Sequence, residues 1–295
     1  MGFSTWFPPV AALVISFFTS MAGISGAFLL LPLQMSVLGF TSPAVSATNL
    51  VFNLVATPAG VYRYWREKRV LWPLTLLVAA GTAPGVILGC LIRLTWLPDA
   101  RRFKAFAGLV LLWIAVRLVL DLWRSYRQPA QPAPSPAPSK DWRARTLIFN
   151  ARQLAFEFQQ RKYHCRPAGI FVLSLAVGLV GGIYGIGGAA IIAPFLVSIY
   201  GLPVHTIAGA TLAGTLVTSA AGVGFYQWIA PFYQASGITV APNWTLGLSF
   251  GVGGMAGMYL GARTQRYVPA AALKTMLALI LLGVATGYLA GYLRG

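Results

Sequence analysis

The chain has 295 residues, of which 57% are hydrophobic and 9% are charged, and its formal net charge is +17. A water-soluble domain carries about 25% charged residues, so this composition excludes an ordinary soluble fold and predicts an all-α integral membrane protein. The Lys and Arg residues lie in short segments between long apolar runs, without a nucleic-acid-binding motif. We therefore interpret the charge as the cytoplasmic-side excess of a membrane protein and expect no nucleic acid as a partner.

The first half opens with an apolar run at 8–38 that glycines interrupt at Gly23–Gly26. A simple span needs about 20 residues, so the whole run is too long for one span and its two pieces are too short. We predict a helix broken at these glycines, with a re-entrant path as one way of threading it. No Lys or Arg precedes the run, so we interpret it as a retained membrane segment and not as a cleaved signal. Three transmembrane helices are predicted to follow, at about 43–63, 70–93 and 102–124.

The middle of the chain, 125–166, is too polar for the membrane and separates a first membrane repeat, 1–124, from a second, 167–295. The Pro/Ala-rich stretch 129–138 predicts an extended cytoplasmic linker. Aromatic and basic residues are mixed through 141–160, which predicts a basic amphipathic helix in the membrane interface. A cytosolic helical hairpin is the alternative for this segment.

The second half repeats the plan of the first. Its apolar run at 168–200 is interrupted at Gly185–Gly188, and residues 21–65 align with residues 183–227 without a gap. The matched pairs include Gly23 with Gly185, Ile24 with Ile186, Gly26 with Gly188, Ala27 with Ala189, Gly39 with Gly201, and, further on, Gly85 with Gly257 and Gly89 with Gly261. Helices are predicted at about 204–227, 244–264 and 269–293. The alignment indicates two homologous repeats.

Two repeats of this kind can be threaded through a membrane in two ways. If each broken segment crosses once, there are eight crossings and the halves are parallel; if each returns to the side it entered, the halves are inverted. The inverted threading places more positive charge inside, because Arg263, Arg266 and Lys274 move there. We favour inversion, which leaves a basic cluster outside as a misfit. That cluster comprises Arg93, Arg101, Arg102 and Lys104.

The paired glycine breaks are the strongest candidate for a binding site. Glycines permit a sharp backbone turn and a close approach of a ligand, and the N-terminus of each resumed helix has a partial positive charge that favours an anion. The alternative is that the glycines only allow helices to pack closely. The candidate residues are Gly23, Ser25 and Gly26 in the first break and Gly185, Gly187 and Gly188 in the second.

The helix after each break carries polar residues in otherwise apolar sequence. Asn49 aligns with Thr211 and Asn53 with Thr215, and a spacing of four places each pair on one helical face. Neutral donors suit an anion that must bind and leave, so these four residues join the candidate site. Hydrogen bonding between helices is the alternative explanation.

Acidic residues are rare and none is well placed within a predicted span, so the sequence does not indicate a carboxylate-coupled pump. It contains no Walker motif, so ATP hydrolysis is not expected. His205 is the one candidate proton handle. We expect no catalytic residues, no metal site and no cofactor, and therefore do not expect an enzyme.

Together these motifs resemble the TauE/SafE family of sulfite exporters. They are the glycine breaks, ATNL at 47–50, GATLAGT at 209–215, and AGV-x-x-Y at 59–64 and 221–226. The chain departs from the pattern in its long middle segment and at Ser25 and Asn49, where its halves differ. The resemblance implies export of sulfite or an organosulfonate across a prokaryotic inner membrane.

Two other functions stay open at this stage. One is a channel-like facilitator of another small anion, and the other is a membrane scaffold that binds a partner through the basic middle segment. The expected partners are a small anionic substrate and the lipid bilayer, with homodimer formation left open.

Overall fold

The computed structural model describes residues 5–21, 25–66, 70–127, 144–158, 161–202, 204–264 and 270–294. Within these residues the chain forms ten α-helices, one 3-10 turn and a three-stranded sheet. The helices are α1 (Phe7–Met21), α2 (Ala27–Ser36), α3 (Ala44–Arg66), α4 (Trp72–Thr95), α5 (Ala100–Arg127), α6 (Pro167–Tyr184), α7 (Ala189–Tyr200), α8 (Val204–Tyr233), α9 (Trp244–Thr264) and α10 (Ala270–Leu293). The strands are β1 (Arg145–Phe149), β2 (Leu154–Phe158) and β3 (Arg161–Cys165).

The predicted class, an all-α integral membrane protein, is confirmed. Six of the described helices, α3, α4, α5, α6, α8 and α10, are long and apolar enough to cross a membrane. The six unbroken helices predicted from the sequence are all found, with α8 continuing beyond its predicted end to Tyr233.

Each broken segment forms two helices. The resumed helices α2 and α7 have 10 and 12 residues, so at 1.5 Å per residue they are about 15 and 18 Å long and cannot cross an apolar layer of about 30 Å. The second break is sharp because Gly185 and Gly187 have φ angles of 84° and 72°, in the left-handed region where a Cβ atom is disfavoured.

The pair α6–α7 is a hairpin. A Cβ atom on Gly169, near the start of α6, would collide with the hydroxyl of Tyr200, at the end of α7. The two ends of this broken segment therefore lie side by side, as a re-entrant path requires.

Glycines allow α4 of the first half and α9 of the second half to pack against the broken segment of the other half. On α4, a Cβ atom at Gly85 or Gly89 would collide with a carbonyl oxygen of α6. On α9, a Cβ atom at Gly257 or Gly261 would collide with a carbonyl oxygen of α1. These glycines were matched in pairs by the alignment of the halves, and here they have equivalent packing roles.

The helices α3 and α8, which occupy corresponding places in the two halves, run antiparallel. A Cβ atom on Gly222 would lie 2.6 Å from Cδ1 of Leu50, and one on Gly60 would lie 3.1 Å from Cδ1 of Leu212. The start of α3 also meets the segment after α8, where the amide of Asn243 donates to the hydroxyl of Thr48 at 2.9 Å. This packing supports inverted repeats. The opposite orientation of the two halves in the membrane remains a prediction.

The predicted amphipathic helix in the middle segment is wrong. The strands in this segment form an antiparallel sheet in the order β1–β2–β3. The turn between β1 and β2 is at Asn150, whose side chain accepts the amides of Arg152 and Gln153. Every second residue of β2 is a large apolar one, and the three alternate residues Leu154, Phe156 and Phe158 are buried against the helices. Apolar residues at a period of two suit a strand, which decides against a helix. The Pro-rich stretch 129–138 lies outside the described residues.

Candidate functional site

Asn49 on α3 connects the two breaks. Its side-chain amide donates one hydrogen bond to the carbonyl of Ala27, at the start of α2, and another to the carbonyl of Gly185, at the end of α6, both at 3.0 Å. Asn49 is fully buried. Gly185 follows the last turn of α6, so its carbonyl has no helical partner, and at membrane depth the protein itself must supply the donor. The same side chain also binds the backbone of the first half, at Ala27.

Asn53, one turn further along α3, makes a second connection of the same kind. Its amide donates to the carbonyl of Ile186 at 2.7 Å, and its oxygen accepts the hydroxyl of Ser25 at 2.9 Å. The Ser25 oxygen in turn accepts the amide of Ala27 at 3.3 Å. These bonds hold the start of α2 against the second break. Because Asn49 and Asn53 form one buried cluster with Ser25, Ile186 and both break carbonyls, we refer to this region as the central crossing.

Two of the predicted glycines lie in the central crossing with no room for a side chain. A Cβ atom on Gly26 would lie 2.6 Å from Oγ of Ser16, and one on Gly185 would lie 2.6 Å from Cα of Ser46. The backbone thus approaches α1 and α3 as closely as atoms allow, which explains why glycine occupies both positions.

Gly187 faces the hydroxyl-bearing side of α8. A Cβ atom there would lie 2.9 Å from Oγ of Ser219 and 3.2 Å from Cγ2 of Thr215. Thr215 donates its hydroxyl to the carbonyl of Thr211 at 2.9 Å, and Thr211 donates to Ala208 at 3.2 Å. These two threonines therefore bond their own helix, unlike the asparagines at the matching places of α3.

Not every predicted residue has the same surroundings. Gly188 packs tightly against Gly178 of α6. A Cβ atom on Gly188 would also lie 3.3 Å from Cβ of Thr82 on α4. Its surroundings are those of a helix-packing glycine. The hydroxyl of Thr211 bonds the carbonyl of Ala208 in its own helix, α8. Gly23 and the side chain of His205 lie outside the described residues.

Several buried polar atoms near the breaks have no hydrogen-bond partner in the described part of the chain. They are Oδ1 of Asn49, Oγ of Ser16, Oγ1 of Thr19 and Oγ of Ser219. Ser16 and Thr19 were not predicted as site residues. A sequence signal for them exists, since both are polar residues inside the apolar run of α1. Unpaired buried polar atoms are uncommon in folded proteins, which makes this region a candidate site for a polar ligand.

Tyr184 is a further residue that the sequence did not single out. Its hydroxyl donates to the carbonyl of Phe28 at 2.9 Å, and the two aromatic rings are 6.2 Å apart. The end of α6 is thereby tied to the first turn of α2. The central crossing thus combines carbonyls, amides and hydroxyls, and the described residues that form it carry no charge.

A polar crossing of two broken helices, buried within a bundle of membrane-length apolar helices, is the architecture of a polytopic membrane transporter. The model of the family described as Sulfite exporter TauE/SafE matches residues 9–288, and the chain belongs to this family. It is also 24% identical over 218 residues to the probable membrane transporter protein YjnA of Bacillus subtilis (strain 168), which covers 72% of this chain and 75% of that protein. No solved structure matches the chain.

These findings establish the class of protein. The chain is a transporter and not an enzyme, and it is a multi-pass cell membrane protein.

Proposed function

We propose that this protein exports a small sulfur-containing oxyanion, sulfite or an organosulfonate, by alternating access at the central crossing. The observation that carries the proposal is the position of Asn49, whose amide bonds the breaks of both halves at once. A site held jointly by two repeats is opened or closed when one repeat rocks against the other. The family description supports sulfite as the substrate class.

Anion binding and opening are coupled through the asparagine amides. In the described arrangement, Asn49 and Asn53 donate to the carbonyls of Ala27, Gly185 and Ile186. Movement of one repeat against the other breaks some of these bonds and releases N–H donors. An oxyanion then accepts hydrogen bonds from the released N–H groups. The partial positive charge at the starts of α2 and α7 stabilises its negative charge. The proposed binding residues are Gly23, Ser25, Gly26, Asn49, Asn53, Gly185, Gly187, Gly188, Thr211 and Thr215.

The membrane potential supplies a driving force for export. An anion that leaves a negative-inside cell gains about 2.3 kcal/mol per charge for each 100 mV. A neutral site is consistent with this scheme, because donors without a full charge bind an anion weakly enough to release it.

A second candidate function rests on the sheet. All five residues of β1 are exposed, including the apolar Leu147, Ile148 and Phe149. Among the described residues nothing pairs with the outer edge of β1, which leaves this edge for a partner protein. In a scaffold, replacing Leu147 and Phe149 by serine would abolish function, whereas a transporter would keep its flux.

The proposed function is tested by anion flux in proteoliposomes. Sulfite, sulfoacetate, sulfate and chloride are compared with and without an imposed membrane potential. We expect sulfite or sulfoacetate to move faster than in empty vesicles, and faster still when the potential drives the anion. A faster chloride flux would favour the channel-like facilitator. The proposal fails if no oxyanion moves faster than in empty vesicles under any condition.

A further inference from the structure

Arg93, in the last turn of α4, is an arginine with no exposed surface. Its guanidinium carbon lies 3.8 Å from the centre of the Phe103 ring, and Nη1 donates to the carbonyl of Leu97. The other two nitrogens, Nε and Nη2, have no partner among the described residues. The carboxylate of Asp99 offsets part of the charge, but Nε and Nη2 stay without hydrogen bonds among the described residues, and buried donors are costly when they are unmatched.

Tyr226 on α8 adds another unmatched donor to the same region. It has no exposed surface, and it packs in one buried cluster with Cys90 and Leu94, which flank Arg93 in the last turns of α4. Its hydroxyl lies close to Ser46 and Cys90, but it makes no hydrogen bond of acceptable geometry within the described part of the chain. Nε and Nη2 of Arg93 and the hydroxyl of Tyr226 are therefore three buried donor atoms without a hydrogen-bond partner among the described residues.

These donors adjoin the central crossing. Ser46 donates its hydroxyl to the carbonyl of Ile183 at 3.2 Å, and its backbone abuts Gly185. The thiol of Cys90 lies 3.9 Å from the carbonyl of Gly182. Polar groups thus continue from Asn49, past the end of α6, to the end of α4, inside an otherwise apolar bundle.

We propose that Arg93 and Tyr226 form a second binding site for the transported oxyanion, between the central crossing and the membrane face at which α4 ends. This proposal rests on the proposed function, because it assigns a further step of the same route. A guanidinium offers two parallel N–H donors to two oxygens of one anion, and the phenol O–H can serve a third. That arrangement suits sulfite or a sulfonate better than a halide. Both side chains are enclosed in this structure, so the anion reaches them after the surrounding helices separate.

Tyr226→Phe is the decisive variant. It removes a buried hydroxyl that has no partner among the described residues. In the absence of sulfite, the melting temperature should therefore stay the same or rise. In proteoliposomes we expect its KM for sulfite to increase about tenfold, since a hydrogen bond to a charged group is lost. Tyr62→Phe, at an exposed tyrosine of α3, is the matched control and should transport normally. Arg93→Lys keeps the charge, removes the forked donors and should also weaken sulfite transport.

Binding without transport separates this proposal from the proposed function. Sulfite should raise the melting temperature of the detergent-solubilised wild-type chain more than that of Tyr226→Phe or Arg93→Lys. If wild-type flux is present and both the KM and the sulfite-induced shift are unchanged in Tyr226→Phe, the second site is overturned while the proposed function stands. If no oxyanion is transported, the proposed function fails, and the thermal shifts alone decide on the site: equal shifts in wild type and variant overturn it. If Arg93→Lys does not fold, the results for Tyr226→Phe alone decide whether the second site exists.

Discussion

Asn49 and Gly185 are joined by a hydrogen bond of 3.0 Å between a side-chain amide and a backbone carbonyl, across a separation of 136 residues in the chain. The second N–H of the same amide serves the carbonyl of Ala27 in the other break. The Gly185 carbonyl lies at the C-terminal end of α6, where no helical N–H reaches it, and in an apolar layer it needs another donor from the protein. Any movement of one repeat against the other must therefore change the hydrogen bonds of Asn49.

Asn49→Ala is expected to lower both stability and transport. The buried Gly185 carbonyl loses its side-chain donor, which costs about 1–3 kcal/mol, the link to Ala27 is lost, and the site loses an anion donor. The measurements are the melting temperature in detergent and the KM for sulfite in proteoliposomes. Asn243→Ala is the control, because the side chain of Asn243 caps α9 by accepting the amide of Leu246, while the bond to Thr48 uses the backbone amide, which alanine keeps. It should lose some stability and keep its KM. A normal sulfite KM in Asn49→Ala would remove Asn49 from the binding site.

Gly187→Ala and Gly201→Ala form a matched pair. Both glycines have positive φ angles, 72° and 62°, so alanine adds about 1 kcal/mol of backbone strain at either position. At Gly187 the new methyl would also meet Ser219 at 2.9 Å, whereas nothing lies within 4 Å at Gly201. We expect Gly201→Ala to lose some stability and keep its sulfite flux, and Gly187→Ala to lose more stability, because of the clash, and to lose sulfite flux as well. Equal flux in the two variants would contradict a role for Gly187 in the site.

Cysteine labelling distinguishes inverted from parallel repeats. Thr95 ends α4 and Thr264 ends the corresponding helix α9, and each donates its hydroxyl to the carbonyl four residues earlier. Single cysteines at these positions are made in a background without Cys90 and Cys165. If the repeats are inverted, a membrane-impermeant maleimide labels Thr95→Cys in intact cells and labels Thr264→Cys only after permeabilisation. Labelling of both from outside would show parallel halves.

Cys165, on β3 outside the membrane-spanning helices, should react slowly with alkylating reagents at neutral pH. Burial raises the pKa of its thiol to about 11, so the reactive thiolate is about a hundredfold rarer than at an ordinary thiol of pKa about 9. Reaction is measured in a Cys90→Ala background, folded and denatured, from pH 7 to pH 11. The folded rate should rise throughout this range. Because the folded pKa is the higher one, this thiol stabilises the fold below pH 9 and loses that contribution as the pH rises towards 11. Equal rates in both states would contradict the raised pKa.

Local features of the sequence were sufficient for much of the fold. The apolar runs predicted the helices, because burial in a membrane depends on the hydrophobicity of consecutive residues. The glycines predicted the breaks, because backbone freedom belongs to the residue itself, and Gly185 and Gly187 do adopt positive φ angles. The sheet was missed, since strands are stabilised by partners such as Tyr163, which stacks on Phe156 at 5.3 Å across the sheet.

The sequence by itself determined that this is a membrane protein of broken and unbroken helices, and it placed Ser25, Asn49 and Asn53 among the candidate residues. The tertiary structure decided what those residues contact. It gave Asn49 the carbonyls of both breaks, and it turned Arg93 from an unexplained positive charge into a buried donor beside Tyr226. The physical reason is that length, hydrophobicity and glycine content are properties of neighbouring residues, whereas hydrogen-bond partners join helices that are far apart in the chain.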